Sequence, residues 1–218
     1  REAAAVINSS SIKAACKNCT LQELCLPLGL NEIDVAALDK VIKRRRTLKK
    51  GEMLYRFGDP LRALYAIRSG ALKTTGLIED GRAQVTGFYL PGELLGIDAI
   101  NTDKHPCSAE ALETSEVCEI PYPALEDLAT KIPGLQHQLL RIMSREIVRD
   151  HGVMMLLGSM RAEERLAAFL LNLSKRFVRR GYSPSDFHLR MTREEIGSFL
   201  GLKLETVSRL FSRFQAEG

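Results

Sequence analysis

The longest regular pattern in the chain runs over residues 136–157. Leu140, Ile147 and Met154 recur every seven residues, and Met143, Asp150 and Leu157 form a second series three residues further on. A seam of this 3.5-residue period predicts a helix of about six turns. Five of the six seam positions are apolar and the sixth, Asp150, is a carboxylate. Two readings fit. One is a domain-linking helix with one face on a core. The other is a parallel dimer helix, in which Asp150 would meet its own copy across a two-fold axis, with a sensor on one side and a part that needs a partner on the other.

Upstream the period changes. Residues 31–44 read as a helix capped by Asn31, with Asp34 in its first turn and Ile33, Ala37, Leu38 and Val41 as its apolar stripe. The basic run Lys43, Arg44, Arg45 and Arg46, continued by Lys49 and Lys50, reads as a solvated face after that helix. Short apolar segments then alternate with Gly, Pro and Asp, at 53–57, 64–68, 71–78, 84–90 and 110–120. Each such strand can bury only one face, so the series predicts an antiparallel β-sandwich or roll, suited to sensing or binding more than to turnover. Pro121, Tyr122 and Pro123 end the last strand, 125–129 is a short helix, and Pro133-Gly134 breaks the chain before the long helix.

Downstream, Gly158 and Ser159 predict a hinge, and residues 162–176 a helix with Leu166, Phe169, Leu170 and Leu173 at core spacing; 181–186 is a loop. Thr192 and Glu195 form a capping box that opens a short helix carrying Ile196, Phe199 and Leu200. Gly197 sits inside that helix at a cost of roughly 0.5–1 kcal/mol against alanine, which predicts another helix passing close over it. Gly201 makes a turn, and a second helix starts near Leu204 or Glu205, turning Val207, Leu210, Phe211 and Phe214 inward and Glu205, Ser208 and Arg209 outward. Helix, glycine turn and helix with a polar outer face is a helix-turn-helix signature. Glu205 can accept from cytosine N4 and Arg209 can fork onto guanine O6 and N7, so the pair can read one G·C pair.

Charge separates this reading from a generic helical hairpin. Residues 1–157 carry 20 basic and 20 acidic side chains, whereas 158–218 carry 11 and 7, so the entire net charge of +4 lies in the last segment. A basic module of this kind is suited to nucleic acid. The 45% hydrophobic content supports one or two real cores. No apolar run is long enough to span a bilayer and no signal-peptide layout is present, which predicts a cytoplasmic protein with no membrane contact.

Cys16, Cys19 and Cys25 crowd the N-terminus, and Cys107 and Cys118 lie far along the chain. In a reducing cytosol this arrangement points to metal, cluster or redox chemistry before disulfides. Three thiolates are assembled locally, and Cys118 or Cys107 can supply a fourth. Four soft anionic ligands suit either tetrahedral zinc or an iron-sulfur cluster, and the spacing does not separate the two.

Four stretches carry a resemblance: Leu-Tyr-Ala-Ile-Arg-Ser-Gly (64–70), Ala-Leu-Glu-Thr-Ser-Glu-Val-Cys-Glu-Ile-Pro (111–121), Ala-Glu-Glu-Arg-Leu-Ala-Ala-Phe (162–169) and Glu-Thr-Val-Ser-Arg-Leu (205–210). Over essentially its whole length the chain resembles the fumarate and nitrate reduction regulators, the oxygen-responsive branch of the bacterial cyclic-AMP-receptor-like transcription factors. The resemblance implies an α+β fold: a double-stranded β-helix of the cyclic-nucleotide-binding type (the β-roll), a long dimerisation helix, and a winged helix-turn-helix whose wing is cut short at Gly218. The implied division is a cysteine-rich loop at 1–30, a β-roll sensor at 31–133, a dimerisation helix at 134–157 and a DNA-binding domain at 158–218. It also implies an oxygen-labile [4Fe-4S] cluster on Cys16, Cys19, Cys25 and Cys118, with Cys107 an extra thiol. The homodimer would meet along Leu140, Met143, Ile147, Asp150, Met154 and Leu157. DNA contacts would fall on Glu205, Ser208 and Arg209, with Leu204 available to a thymine methyl, on inverted repeats of TTGAT half-sites. The turn at Asp80-Gly81 becomes a candidate contact for RNA polymerase. Where nucleotide receptors place Arg-Ser on the cyclic phosphate, this chain has His105 and Pro106, so cyclic-nucleotide binding is not expected and the retained Gly92-Glu93 reads as structural. The expected function is thus an oxygen-responsive activator or repressor of transcription with no enzymatic turnover, since no cofactor fingerprint or acid-base constellation is present. The alternatives are a zinc-stabilised regulator sensing a small ligand in the β-roll and, further off, a cluster-bearing redox enzyme.

Overall fold

The computed structural model describes residues 16–78 and 81–217. A 3-10 turn (Cys16–Asn18) and a run of further turns lead into α1 (Glu32–Val41). Asn31 caps α1, its Oδ1 accepting from the Asp34 backbone N–H at 2.9 Å. The stripe of α1 differs from expectation. Val35 and Leu38 are its buried positions, whereas Ile33 is 81% exposed, because the core-facing side lies one position round from where the first turn pointed.

α1 also stops earlier than expected, and Arg44–Leu48 forms strand β1. The middle of the basic run is therefore strand, with Arg45 and Arg46 half-buried, while Lys43, Lys49 and Lys50 are exposed as expected. β1 pairs antiparallel with β8 (Ser115–Pro121), and Arg46 donates to the carbonyls of Met53 and Leu54, each at 3.2 Å. Between them lie β2 (Met53–Tyr55), β3 (Ala63–Ser69), β4 (Leu72–Leu77), β5 (Ala83–Tyr89), β6 (Leu94–Leu95) and β7 (Ser108–Ala111). They make two four-stranded antiparallel sheets, ordered β1-β8-β3-β6 and β2-β7-β4-β5. The single strand expected at 110–120 is thus two strands, one in each sheet. The chain crosses between sheets at residues 112–114, where Ser115 Oγ donates to the Glu113 carbonyl at 2.8 Å. Closing a roll requires such a crossing, since one strand can ladder in only one sheet. Leu48, Leu54, Ile67, Leu72 and Val117 fill the space between the sheets.

After the roll come α2 (Tyr122–Lys131) and α3 (Pro133–Ser159), the 27-residue helix. Pro133 and Gly134 open α3 instead of breaking the chain ahead of it, since the first helical position loses nothing by lacking an N–H. Gly158 and Ser159, expected as a hinge, complete its last turn; the helical path is interrupted at Met160 and Arg161 instead. α3 buries Leu135, Gln138, Ile142 and Leu156 against its own chain. Leu140, Ile147 and Met154 are 58%, 55% and 67% exposed, so this apolar strip has little cover among the described residues.

α4 (Ala162–Val178), α5 (Arg193–Leu200) and α6 (Leu204–Glu217) complete the fold. Their core is continuous with one sheet of the roll. Phe88 of β5 stands 5.8 Å from Phe169 and 5.3 Å from Phe199, and Leu166, Ile196, Leu200 and Val207 belong to the same cluster as Ala71, Val85 and Leu90. Polar contacts reinforce the join. The Val85 N–H donates to Ser198 Oγ at 2.9 Å, and Lys73 lies 2.7 Å from Glu195 and 3.4 Å from Glu110. Among the described residues no helix is long and apolar enough to cross a membrane.

Candidate metal centre and nucleic-acid interface

Three thiols come from the N-terminal turns and one from the roll. The Cys19 N–H donates to the Cys16 carbonyl at 3.1 Å and the Cys25 N–H to the Leu21 carbonyl at 3.1 Å, which curls the loop so that all three cysteines face one way. They meet Cys118 of β8 around a single cavity of about 30 Å³, walled by Leu21, Leu26, Leu38, Ile67 and Ile120. Cys107 is elsewhere, buried in the roll core and donating to Asp98 Oδ2 at 3.3 Å.

Without a metal the environment disfavours the thiolate form of these cysteines. Burial pushes the Cys25 thiol up to about 12, with Cys118 and Cys19 adding to the rise. Burial likewise raises Cys16, helped by Asp39, and Cys118, where Arg68 and Arg45 act in the opposite direction. Such thiols stay protonated until a metal takes the proton's place, which is the usual coupling of metal binding to proton release. Arg45 stands directly opposite Cys118 in the β1–β8 ladder, and its Nε is buried without a hydrogen-bond partner among the described residues. A buried donor opposite one of the four cysteines fits an anionic metal–sulfur group. The void is water-sized, and among the described residues no three His, Cys, Asp or Glu side chains stand close enough to hold a single ion. A larger group requires the 16–30 turns to stand further from β8.

The cysteine loop rests on α3. Gln138, 2% exposed, donates from Nε2 to the Cys25 carbonyl at 3.2 Å. Arg145, two turns further along α3, lies within electrostatic reach of Cys25. Gln138 was missed by pattern reading, although a polar residue on the buried face between Leu135 and Ile142 was a readable signal. At the far end of α3, Arg165 donates to the carbonyls of Leu157, Met160 and Leu200 at 2.8, 2.9 and 3.1 Å, fixing the end of the long helix against the end of α5.

The helix-turn-helix has its expected local chemistry. Thr192 and Glu195 make the reciprocal capping box, and Gly201 takes φ +64° at the end of α5. A Cβ on Gly197 would meet the Leu202 carbonyl at 2.6 Å, with Val207 of α6 next at 3.5 Å, so the close neighbour is the turn's own backbone more than a crossing helix. Leu204, Glu205 and Arg209 are exposed and Ser208 half-buried, all in the first two turns of α6. Arg213, by contrast, is held by Glu163 and Glu217, each at 2.7 Å. Of the proposed polymerase contacts, Gly81 lies in the β4–β5 turn, donating to the Ile78 carbonyl at 2.8 Å; Asp80 lies outside the described residues.

Comparison with known proteins bears on these sites. Residues 45–131 match the cyclic nucleotide-binding domain and residues 164–218 the Crp-like helix-turn-helix domain. The transcriptional activator protein Anr of Pseudomonas protegens is 55% identical over 203 residues, spanning 93% of this chain and 83% of that protein. The fumarate and nitrate reduction regulatory protein of Escherichia coli is 50% identical over 212 residues, 97% of this chain and 85% of that one. The chain belongs to the fumarate and nitrate reduction regulator family. Its fold is the one that family shares with other Crp-type regulators: FixK2 from Bradyrhizobium japonicum superposes with a TM-score of 0.72 at 31% identity, covering 80% of this chain and 85% of that one. A member of this family with this helix-turn-helix is a DNA-binding transcription regulator.

Within that family assignment, Arg209→Ala is expected to weaken binding to a specific site by roughly 1–3 kcal/mol beyond its effect on random DNA, because a base-edge fork discriminates and a phosphate contact does not. Titrations of both DNAs at matched salt read this directly. Equal losses would place Arg209 on the DNA backbone.

Proposed function

We propose that this regulator responds to oxygen through a [4Fe-4S] cluster held by Cys16, Cys19, Cys25 and Cys118, and that the response controls dimerisation and hence binding to palindromic sites with TTGAT-like half-sites. The observation that carries the reading is the convergence of a local three-cysteine loop on a distant fourth cysteine, with the back of the same loop hydrogen-bonded to α3 through Gln138. When bound, the cluster supplies thiolate–iron ties that oxygen can break.

With the loop tied to β8, Gln138 and the apolar neighbours Leu135 and Ile142 hold α3 in one setting against the roll. Leu140, Ile147 and Met154 then meet their copies along the exposed strip, with Met143, Asp150 and Leu157 on the same seam. Two α6 helices, each presenting Leu204, Glu205, Ser208 and Arg209, can then reach two half-sites, whereas a monomer can reach only one. RNA polymerase is the proposed further partner, at the turn that includes Gly81, and the cytoplasm is the proposed compartment. No enzymatic step is assigned. A cyclic nucleotide is not the proposed signal: His105 is 2% exposed, with its ring stacked on Tyr55 at 3.7 Å, which leaves no cation presented to a phosphate at that position.

Purification without oxygen, followed by visible absorbance and metal analysis, tests this reading. About four iron and four sulfide per chain are expected. One zinc per chain and no colour would overturn it in favour of a zinc-stabilised regulator.

A further inference from the structure

Gly92 and Glu93 are unused by the function proposed above, yet they touch both ends of the molecule. Gly92 has φ +87°, and a Cβ built on it would stand 2.7 Å from Leu24 Cβ, so the loop that carries Cys25 lies directly on bare backbone there. The turn is fixed from below by the Gly92 N–H donating to the Ile67 carbonyl at 2.8 Å. Glu93, the next residue, holds α4. Its Oε2 accepts from Arg176 Nη2 at 2.6 Å and from the Leu90 N–H at 3.0 Å, and its Oε1 accepts from Arg176 Nε at 3.1 Å and Arg180 Nη2 at 2.8 Å. The same two guanidinium groups donate to the carbonyls of Phe88 and Pro91, each at 2.7 Å. Burial opposes ionisation of Glu93, but Arg176 and then Arg180 outweigh it and hold the carboxyl below its ordinary range.

One mostly buried carboxylate therefore fastens the last turn of α4, through Arg176, and the turn that follows it, through Arg180, to the roll, and α4 shares its core with α5 and α6. A cavity of about 600 Å³, which Leu24, Gly92, Glu93, Arg176 and Arg180 help to line, lies beside this anchor. The clamp adds to the shared apolar core and to the Val85–Ser198 and Lys73–Glu195 contacts, and the adjoining cavity leaves room for the end of α4 to shift.

We propose that Glu93 is a positioning residue through which the cysteine loop sets the docking of the DNA-binding helices within a single protomer, in addition to any control through dimerisation. The inference rests on the proposed function for the loop's change of state. The route is short: Leu24 lies on Gly92, Gly92 precedes Glu93, and Glu93 holds Arg176 and Arg180. Coupling of this kind is reciprocal, so a loop tied to β8 favours docked α4, and docked α4 favours the tied loop.

Hydrogen exchange read by mass spectrometry tests this on the full chain diluted until it is monomeric, loaded with iron and sulfide without oxygen or left free of both. Iron loading is expected to slow exchange in the last turns of α4 and in α5 by roughly fivefold or more. In Glu93→Gln exchange there should be fast in both states, with the iron-dependent difference gone and iron per chain unchanged. Leu24→Ala, which leaves every cysteine and the clamp in place, should also keep its iron and lose the difference, and it decides the matter if Glu93→Gln fails to fold. A wild-type monomer whose exchange in α4 and α5 ignores iron would overturn the inference, as would an iron-dependent difference that persists in either variant. A chain that takes up no iron would be seen in the metal analysis, before any exchange, and would refute the proposed function itself.

Discussion

Cys118→Ala is expected to lose its iron, as are Cys16→Ala, Cys19→Ala and Cys25→Ala, while Cys107→Ala retains the wild-type content. The four line one cavity, and within it Cys25 and Cys118 lie within electrostatic reach of Cys16, Cys118 and Cys19 within reach of Cys25, and Cys19 within reach of Cys118. Removing one thiolate from a four-coordinate set leaves an iron site open to solvent and oxidant. Cys107 offers no such tie. Its sulfur is buried among Leu54, Tyr55 and Ala109 and donates to Asp98, so alanine there removes a small packed side chain and a weak hydrogen bond. Iron and sulfide determinations on the five variants purified without oxygen give the comparison. Iron retained in Cys118→Ala and lost in Cys107→Ala would reverse the assignment and require the loop to turn toward the other end of the roll.

What could be read from the chain follows the range of the interactions. The caps were legible because they are local: Asn31 bonds three residues ahead, and Thr192 and Glu195 bond each other. α6 was legible for the same reason, since its apolar and polar positions follow one 3.6-residue period next to a glycine turn. The crossing at residues 112–114 was not legible, because the polar run from Glu113 to Glu116 carries no Gly or Pro to mark a break and the pattern says nothing about which sheet a strand joins. β1 was illegible for a related cause: three arginines in a row are a poor strand signal, and only the ladder with β8 makes that segment extended.

The candidate site divides in the same way. Cys16, Cys19 and Cys25 announced themselves by spacing, whereas the alternatives Cys107 and Cys118 could be separated only by resemblance and then by the fold, which brings Cys118 to the loop and leaves Cys107 in the core. The clamp of Glu93 on Arg176 and Arg180 joins residues 83 and 87 positions apart, so no local pattern contains it. Arg165 lay within a stretch that carried the resemblance, yet its role as a tie between α3 and α5 depends on three carbonyls brought together by tertiary packing.

Asp150→Ala is expected to make the iron-free chain dimerise in air, with a dissociation constant lower than that of the iron-free wild type by roughly ten- to a hundredfold. Asp150 is exposed on α3, on the seam with Ile147 and Met154. Arg149, the adjacent residue, does not neutralise it, since it already donates to Tyr89 at 2.7 Å and pairs with Glu146 at 2.8 Å. In a parallel two-fold dimer Asp150 meets its own copy, and two carboxylates about 6 Å apart repel by about 1–3 kcal/mol at effective dielectric constants between those of water and a protein surface. Against this stand the buried contacts of Leu140, Met143, Ile147 and Met154, each contributing about 1–2 kcal/mol. The terms are close enough for a modest shift of α3, transmitted from Cys25 through Gln138, to decide whether the dimer forms. Sedimentation equilibrium of iron-free wild type and variant over a concentration series measures the difference. If Asp150 instead pairs with an arginine across the interface, alanine will weaken the dimer. Equal constants would assign control of dimerisation to the placement of α3 alone, with Gln138 and the cysteine loop as its determinants.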